Sequence, residues 1–216
     1  MKYIIMCGGH YKHWDIPRHM TRVNGEPLVE RTIRLLRENG VEDISISSDN
    51  DIFEQFGVPV LKHDNKFFAA RYNKYRGYWC DAFYPTDEPT CYVFGDVLFS
   101  PEAIRKIVET ETDDIMFFGS KPPFAKEYPK NHVEPFAFKV NDTEHLKRAC
   151  QMVRSMPDTA FARKPIAWEL WYVITGSPTK QDAEDIKGKA RDYVAINDYT
   201  CDIDSPEEVE MIKALS

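Results

Sequence analysis

Short apolar runs rich in β-branched and aromatic residues recur along this chain at YIIM, ISIS, VPVL, CYVF, IMFF, PFAFKV, WYVIT and YVAI, and most are separated by stretches with helical period or capping signals. Strands alternating with helices predict a mostly parallel sheet covered by helices. The clearest helix runs from Pro27 to Asn39. There Leu28, Thr32, Leu35 and Leu36 share a stripe, arginines and glutamates take the other face, and Gly40 offers a left-handed stop. Two further helices announce their starts. Ser100-Pro101 sets an N-cap serine before a first-turn proline, and Ser205-Pro206-Glu207-Glu208 adds a capping-box glutamate. No repeat or linker divides the 216 residues, so one domain is expected, with irregular segments near 64–90, 119–134 and 157–168.

Charge narrows the function classes. A formal net charge of -7 gives no global positive field for a nucleic-acid backbone, so any cationic site must be local. The segment FFAARYNKYRGYWCDAFY interleaves aromatics with Arg and Lys in the manner of a base-stacking platform, but in so acidic a protein it reads better as a helix packed on the sheet. Five singly scattered cysteines, an odd number without a C-x-x-C pair, indicate reduced thiols rather than a disulfide framework. The apolar run at the amino terminus is too short for a signal-peptide core and nothing later approaches a membrane span. The expectation is a cytoplasmic protein without membrane or nucleic-acid partners; a homo-oligomer is compatible with the sequence.

The first strand ends in Cys7-Gly8-Gly9. Such a loop leaves backbone N–H groups at the carboxyl edge of the sheet, where open α/β folds place ligands, and glycine lets a ligand approach the backbone closely. His10, Lys12, His13, Arg18 and Arg22 follow with charge suited to a phosphate. Two glycines alone would mean only a tight turn. The spacing behind them says more: PRHMTRVNGEPL resembles the Pro-Lys-x-x-x-x-x-x-Gly-x-Pro-Leu segment of nucleotidyltransferases with a glycosyltransferase-A type fold, the superfamily of sugar-phosphate, molybdopterin and CMP-acylsugar nucleotidyltransferases. Pro17, Gly25, Pro27 and Leu28 match the pattern. Arg18 stands in the lysine's place, and CGGHYKHWDI replaces the common Gly-x-Gly-x-Arg loop. Arginine keeps the charge and adds a planar fork, which makes the exchange a chemical change.

Two more segments extend the resemblance. In CYVFGDVLFSPEAI a buried strand is followed by Gly95 and Asp96. Capping the next helix would be the ordinary fate of this aspartate, but Ser100-Pro101 already supplies that cap. In YTCDIDSPEEVEMI, Asp202 and Asp204 alternate around Ile203, so both point to one side of an extended chain while Ile203 enters the core. An acidic turn before a well-capped helix would explain part of that pattern; the family's D-x-D-(S/T)-x-E-(D/E) tail is similar to all of it. The resemblance implies a three-layer α/β/α domain of the nucleotide-diphospho-sugar transferase type. It further implies a Mg²⁺ ion held by Asp96, Asp202 and Asp204, catalysis by Arg18 and Asp96, and nucleotide binding by Cys7, Gly8, Gly9, Lys12 and Arg18. For the acceptor, GSKPPFAKEYPKNHVEPF and FARKPIAWELW offer Lys126, Arg163 and Glu169 among other polar residues.

The function expected is transfer of a nucleoside monophosphate, with the D-I-D tail tilting toward CMP, from a nucleoside triphosphate to a small anionic acceptor with release of pyrophosphate. Such a reaction needs positioning and positive charge around the phosphates, and no general base when the acceptor is already an oxyanion. A glycosyltransferase on the same fold and a non-catalytic nucleotide-binding module are the alternatives.

Overall fold

A computed structural model describes residues 1–8, 14–63, 80–120, 134–155, 167–175 and 192–213. Among the described residues the main sheet has seven strands, in the order β10-β8-β9-β6-β1-β4-β5. These are β1 (Lys2–Met6), β4 (Ile44–Ser48), β5 (Val60–Lys62), β6 (Thr90–Phe94), β8 (Ile115–Ser120), β9 (Glu134–Val140) and β10 (Tyr193–Ala195). The β1-β4, β1-β6, β4-β5 and β8-β10 pairs are parallel, whereas β9 runs antiparallel between β6 and β8. In β1 the consecutive residues Tyr3, Ile4, Ile5 and Met6 are all buried. Because neighbouring side chains point to opposite faces, the sheet is covered on both sides, as expected of the α/β architecture.

The helices follow their sequence signals. Helix α1 (Leu28–Glu38) buries Leu28, Thr32, Leu35 and Leu36, and Gly40 closes it at φ +78°. At α2 (Pro101–Glu109), Ser100 Oγ accepts from the Ala103 N–H, the cap read from the sequence. Helix α3 (Thr143–Ser155) packs against α4 (Ala167–Ile174). That last element corrects the sequence reading, in which WYVIT is a strand. Leu170, Trp171 and Ile174 are the buried residues, at helical spacing, and Trp171 lies 5.8 Å from the rings of both Phe117 and Tyr193. A short run that is apolar all round carries no period to separate a buried helix from a buried strand. Among the described residues, no helix is long and apolar enough to cross a membrane.

Beside the main core sits a smaller one, built by both ends of the chain. The hairpin β2 (Arg22–Val23) and β3 (Glu26–Pro27), the antiparallel pair of β7 (Val97–Leu98) with β11 (Cys201–Asp202), and α5 (Pro206–Lys213) meet the start of α1. Val23, Leu28, Leu98, Cys201, Ile203 and Val209 are buried together there. The hairpin turns through Asn24 (φ 52°) and Gly25 (φ 85°), the paired left-handed conformations for which Asn-Gly is suited. Gly25, one of the matched positions of the motif, is therefore explained by backbone geometry.

All five cysteines are free and buried, as expected of reduced thiols. Lys139 of β9 is buried as well, and its ammonium donates to the carbonyls of Ile107 (3.0 Å), Val108 (2.8 Å) and Thr110 (2.6 Å) at the end of α2. A cation there satisfies carbonyls that the helix leaves open and opposes the negative end of its dipole. Lys139→Met should keep the fold but cost about 2–4 kcal/mol, since buried acceptors would lose their donor. Urea unfolding with an unchanged far-UV spectrum would register this loss, and an unaltered midpoint would refute the capping role.

Candidate active site at the sheet's switch point

From β1 the chain proceeds outward to β4 and β5, and later returns to lay β6 on the other side of β1. The carboxyl ends of β1 and β6 therefore flank the point where strand order reverses, the place where open α/β sheets form a ligand crevice. Cys7-Gly8 and Gly95-Asp96 sit at those two ends. Met6 is in register with Phe94, and the Gly95 N–H donates to the Met6 carbonyl at 3.1 Å. Gly95 must lack a side chain, because a β-carbon there would lie 2.6 Å from Cys7 Sγ and 2.8 Å from the Met6 oxygen. The tight approach keeps the two loops abreast.

Arg18 begins a short 3-10 turn (Arg18–Met20) and is almost wholly buried. One terminal nitrogen, Nη2, contacts Asp96 Oδ2; the other, Nη1, donates to Asp204 Oδ1 at 3.0 Å and reaches the Ile203 carbonyl at 3.4 Å. Asp96 is brought to this position by β7, which begins at the next residue and pairs Val97 with Asp202. The backbone completes the join, with the Ile203 N–H donating to the Asp96 carbonyl at 2.9 Å. Ile203 is fully buried while Asp204 stays exposed, so the predicted split of the D-I-D tail between core and surface holds. Glu208 of α5 accepts from the Asp204 N–H at 2.8 Å, one residue before the Ser205 that a capping box would engage, and so fixes the aspartate's backbone.

Thus Arg18, Asp96 and Asp204, distant in sequence, form one ion-pair cluster, and Asp202 lies beside it on the β7-β11 ribbon. Among the described residues no three His, Cys, Asp or Glu side chains are gathered as a ready metal cage. The donor set still suits magnesium, which commonly takes one or two carboxylates and completes its octahedron with phosphate oxygens and water. Asp96 and Asp204 supply two such carboxylates already turned toward one positive charge.

Several expected residues fall elsewhere. Gly9, Lys12, Lys126 and Arg163, with His10 and His13, lie outside the described residues. Glu169 belongs to α4, its side chain outside the description. Of the nucleotide-loop residues that are described, Gly8 is half-exposed, while Cys7 is buried with its backbone engaged: its N–H donates to the Ser47 carbonyl and its carbonyl accepts from Ser48 Oγ, both at 2.9 Å, so the strand rather than a phosphate takes its N–H. Burial, and then the Asp96 charge, push its thiol well above its usual pKa. It stays a neutral thiol.

Two residues at the site escape a motif-based reading. Glu134 is fully buried at the start of β9, and its Oε2 accepts from the Asp202 N–H at 3.1 Å, so it aligns the D-I-D tail from beneath. A signal existed: Glu134 shares strand parity with Phe136, Phe138 and Val140, which puts an acid on a core-facing row. The other is His19, buried behind Arg18 and edge-on to Phe53 at 5.9 Å. Nothing in its sequence context distinguishes it from the exposed histidines of a loop.

No protein-family model matches the chain. Its structure is similar to that of the inositol-1-phosphate CTP transferase from T. maritima, with 16% identity, 99% of this chain and 95% of that one covered, and a TM-score of 0.55. It is also similar to HddC from Yersinia pseudotuberculosis (15% identity, 99% and 98% covered, TM-score 0.54). A third likeness is to a protein from Bacillus anthracis assigned as a glucose-1-phosphate thymidylyltransferase (13% identity, 99% and 94% covered, TM-score 0.56). At such identities these matches establish the fold alone: the mostly parallel α/β arrangement expected from the sequence is the one found in those three structures, with 99% of this chain covered.

Burial first, and the Arg18 charge second, lower the His19 pKa from 6.5 to about 3. His19 is therefore neutral in the fold, and between pH 6.5 and 3 the unfolded chain binds a proton that the folded one does not. Stability attributable to this residue is present above pH 6.5 and is lost as pH falls, by about 2 kcal/mol between pH 7 and pH 5. Urea unfolding of the wild type and of His19→Asn at both pH values should show the wild type losing that much more than the variant. Parallel losses would mean that the imidazole is not buried neutral.

Proposed function

We propose that this protein is a magnesium-dependent nucleotidyltransferase that moves a nucleoside monophosphate from a nucleoside triphosphate to a small phosphate, phosphonate or sugar-phosphate acceptor, releasing pyrophosphate. The observation that carries the reading is the meeting of Arg18, Asp96 and Asp204 at the switch point, beside the Gly8 loop. The T. maritima and B. anthracis proteins are described as a CTP transferase on inositol 1-phosphate and a thymidylyltransferase on glucose 1-phosphate, and HddC has been solved with GMP-PN. One fold thus serves sugar-phosphate and cyclitol-phosphate substrates in those proteins, which supports the same reaction class here.

In this reading the backbone after β1 approaches the triphosphate without side-chain obstruction at Gly8. Arg18 presents a planar fork to the phosphate oxygens, where it can bind two at once. Asp96 and Asp204, with Asp202 beside them on the β7-β11 ribbon, would hold a magnesium ion, whose charge would offset that of the phosphates. The chain brings two anions together and orients them in line; an acceptor that is already an oxyanion needs no protein base. Glu134 and Glu208 act at one remove, by fixing the backbone of Asp202 and Asp204.

Incubation with each of the four triphosphates, Mg²⁺ and a panel of sugar phosphates and cyclitol phosphates should release pyrophosphate with at least one pair, favouring CTP. Asp96→Asn should lower that rate by at least about 100-fold, the loss of a principal electrostatic contact in a transition state, with an unchanged circular dichroism spectrum. Release of a nucleoside diphosphate from a sugar nucleotide instead would make the protein a glycosyltransferase. Triphosphate binding without any turnover would make it a binding module.

A further inference from the structure

The position that a metal-binding carboxylate pair would hold open is closed in this chain by its own arginine. Both terminal nitrogens of Arg18 are engaged, one by Asp96 and one by Asp204, and the pair with Asp96 is well shielded, with side chains 11% and 13% exposed. A guanidinium stays charged at every accessible pH, so protonation changes on Arg18 cannot release the contact. Release requires that another cation replace it on the carboxylates, or another anion attract it away. The two demands are complementary, because a polyphosphate chelating a divalent ion brings one of each.

We propose that Arg18 is a built-in surrogate cation that holds Asp96 and Asp204 together in the ligand-free protein and exchanges partners on substrate binding, turning from the carboxylates to the polyphosphate as the divalent ion takes its place. This rests on the reading of Asp96 and Asp204 as metal ligands, and it adds an order to events: free divalent ions bind poorly, and the metal enters with the nucleotide. The arrangement fits the local packing. Arg18 sits on a short turn, with its backbone held by the Met20 N–H to Pro17 carbonyl bond (2.8 Å) and the Thr21 N–H to Arg18 carbonyl bond (3.0 Å), so a swing of the side chain leaves the turn intact. The carboxylates do not depend on it for their backbone positions either. Asp96 and Ile203 are joined by their own hydrogen bond, and Asp204 is held by Glu208. Arginine suits such an exchange because its two nitrogens span two carboxylates and equally grip two phosphate oxygens.

The probe is Mn²⁺ alone, followed by electron paramagnetic resonance of the free ion and by thermal unfolding, with no nucleotide and no turnover involved. Wild type should bind Mn²⁺ weakly, and Arg18→Met, which keeps the apolar stem but removes the charge, should bind it at least about tenfold more tightly, a modest coupling for close charges. Mn²⁺ should also raise the melting temperature of Arg18→Met more than that of wild type, and adding Asp96→Asn to the variant should cancel the gain. If Arg18→Met does not fold, Arg18→Lys carries the test, since one ammonium cannot span both carboxylates and should give a smaller gain of the same sign. Equal Mn²⁺ affinity in wild type and the folded variant overturns the proposal. A wild type inert toward every triphosphate, with the Mn²⁺ gain still present, would remove the transferase reading and leave the surrogate-cation role standing.

Discussion

The contact of Arg18 with Asp96 and Asp204 is the interaction on which the charge balance of the site depends. It joins residues 78 and 186 positions apart in the chain. Two carboxylates in one partly buried place repel unless a positive charge stands between them, and a buried pair that loses one partner typically costs about 3–5 kcal/mol. The surrounding structure determines where that charge can be. The 3-10 turn supplies it from one side, the strand end of β6 delivers Asp96, and the β7-β11 ribbon delivers Asp204. None of these elements could shift by a residue without breaking the cluster. A one-residue slip of β11 against β7 would reverse the faces of Asp202 and Ile203.

The small second core is what holds those elements in register. Val23 and Leu28 come from the early hairpin and α1, Leu98 from the segment after β6, and Cys201, Ile203 and Val209 from the carboxyl-terminal region. Burying these apolar residues together brings the two ends of the chain to the carboxyl edge of the sheet. The main core meanwhile fixes β1 beside β6. Gly95 packs against Cys7 and His19 so closely that the loops after those strands are set by contact. Packing, not local propensity, thus determines the site geometry.

How much of this could be read from the sequence depends on the range of the interaction. Asp96 stood out because Ser100 so clearly caps α2, and the hydrogen bond from the Ala103 N–H bears that division of labour out. Ile203 was legible as a core residue between two acids because strand parity is a local rule. Gly25 was legible as a motif position, although its reason, a left-handed turn, belongs to the hairpin. The ion pairs of Arg18 were not legible: no local pattern reports a partner on the other side of the chain. The departure from lysine flagged the residue without revealing its contacts. Glu134 was missed because a buried acid is recognised only once its strand is known to face the core, and WYVIT was misread because a uniformly apolar run carries no period.

In the proposed exchange, Arg18 and a divalent ion alternate on the same two carboxylates. It is tested most directly by anomalous diffraction at the manganese edge from crystals grown with Mn²⁺ and a non-hydrolysable triphosphate. One anomalous peak between Asp96 and Asp204, with the Arg18 guanidinium turned onto phosphate oxygens, is the expected result. A nucleotide bound with Arg18 still clamped to both aspartates, or a metal peak away from them, would contradict it.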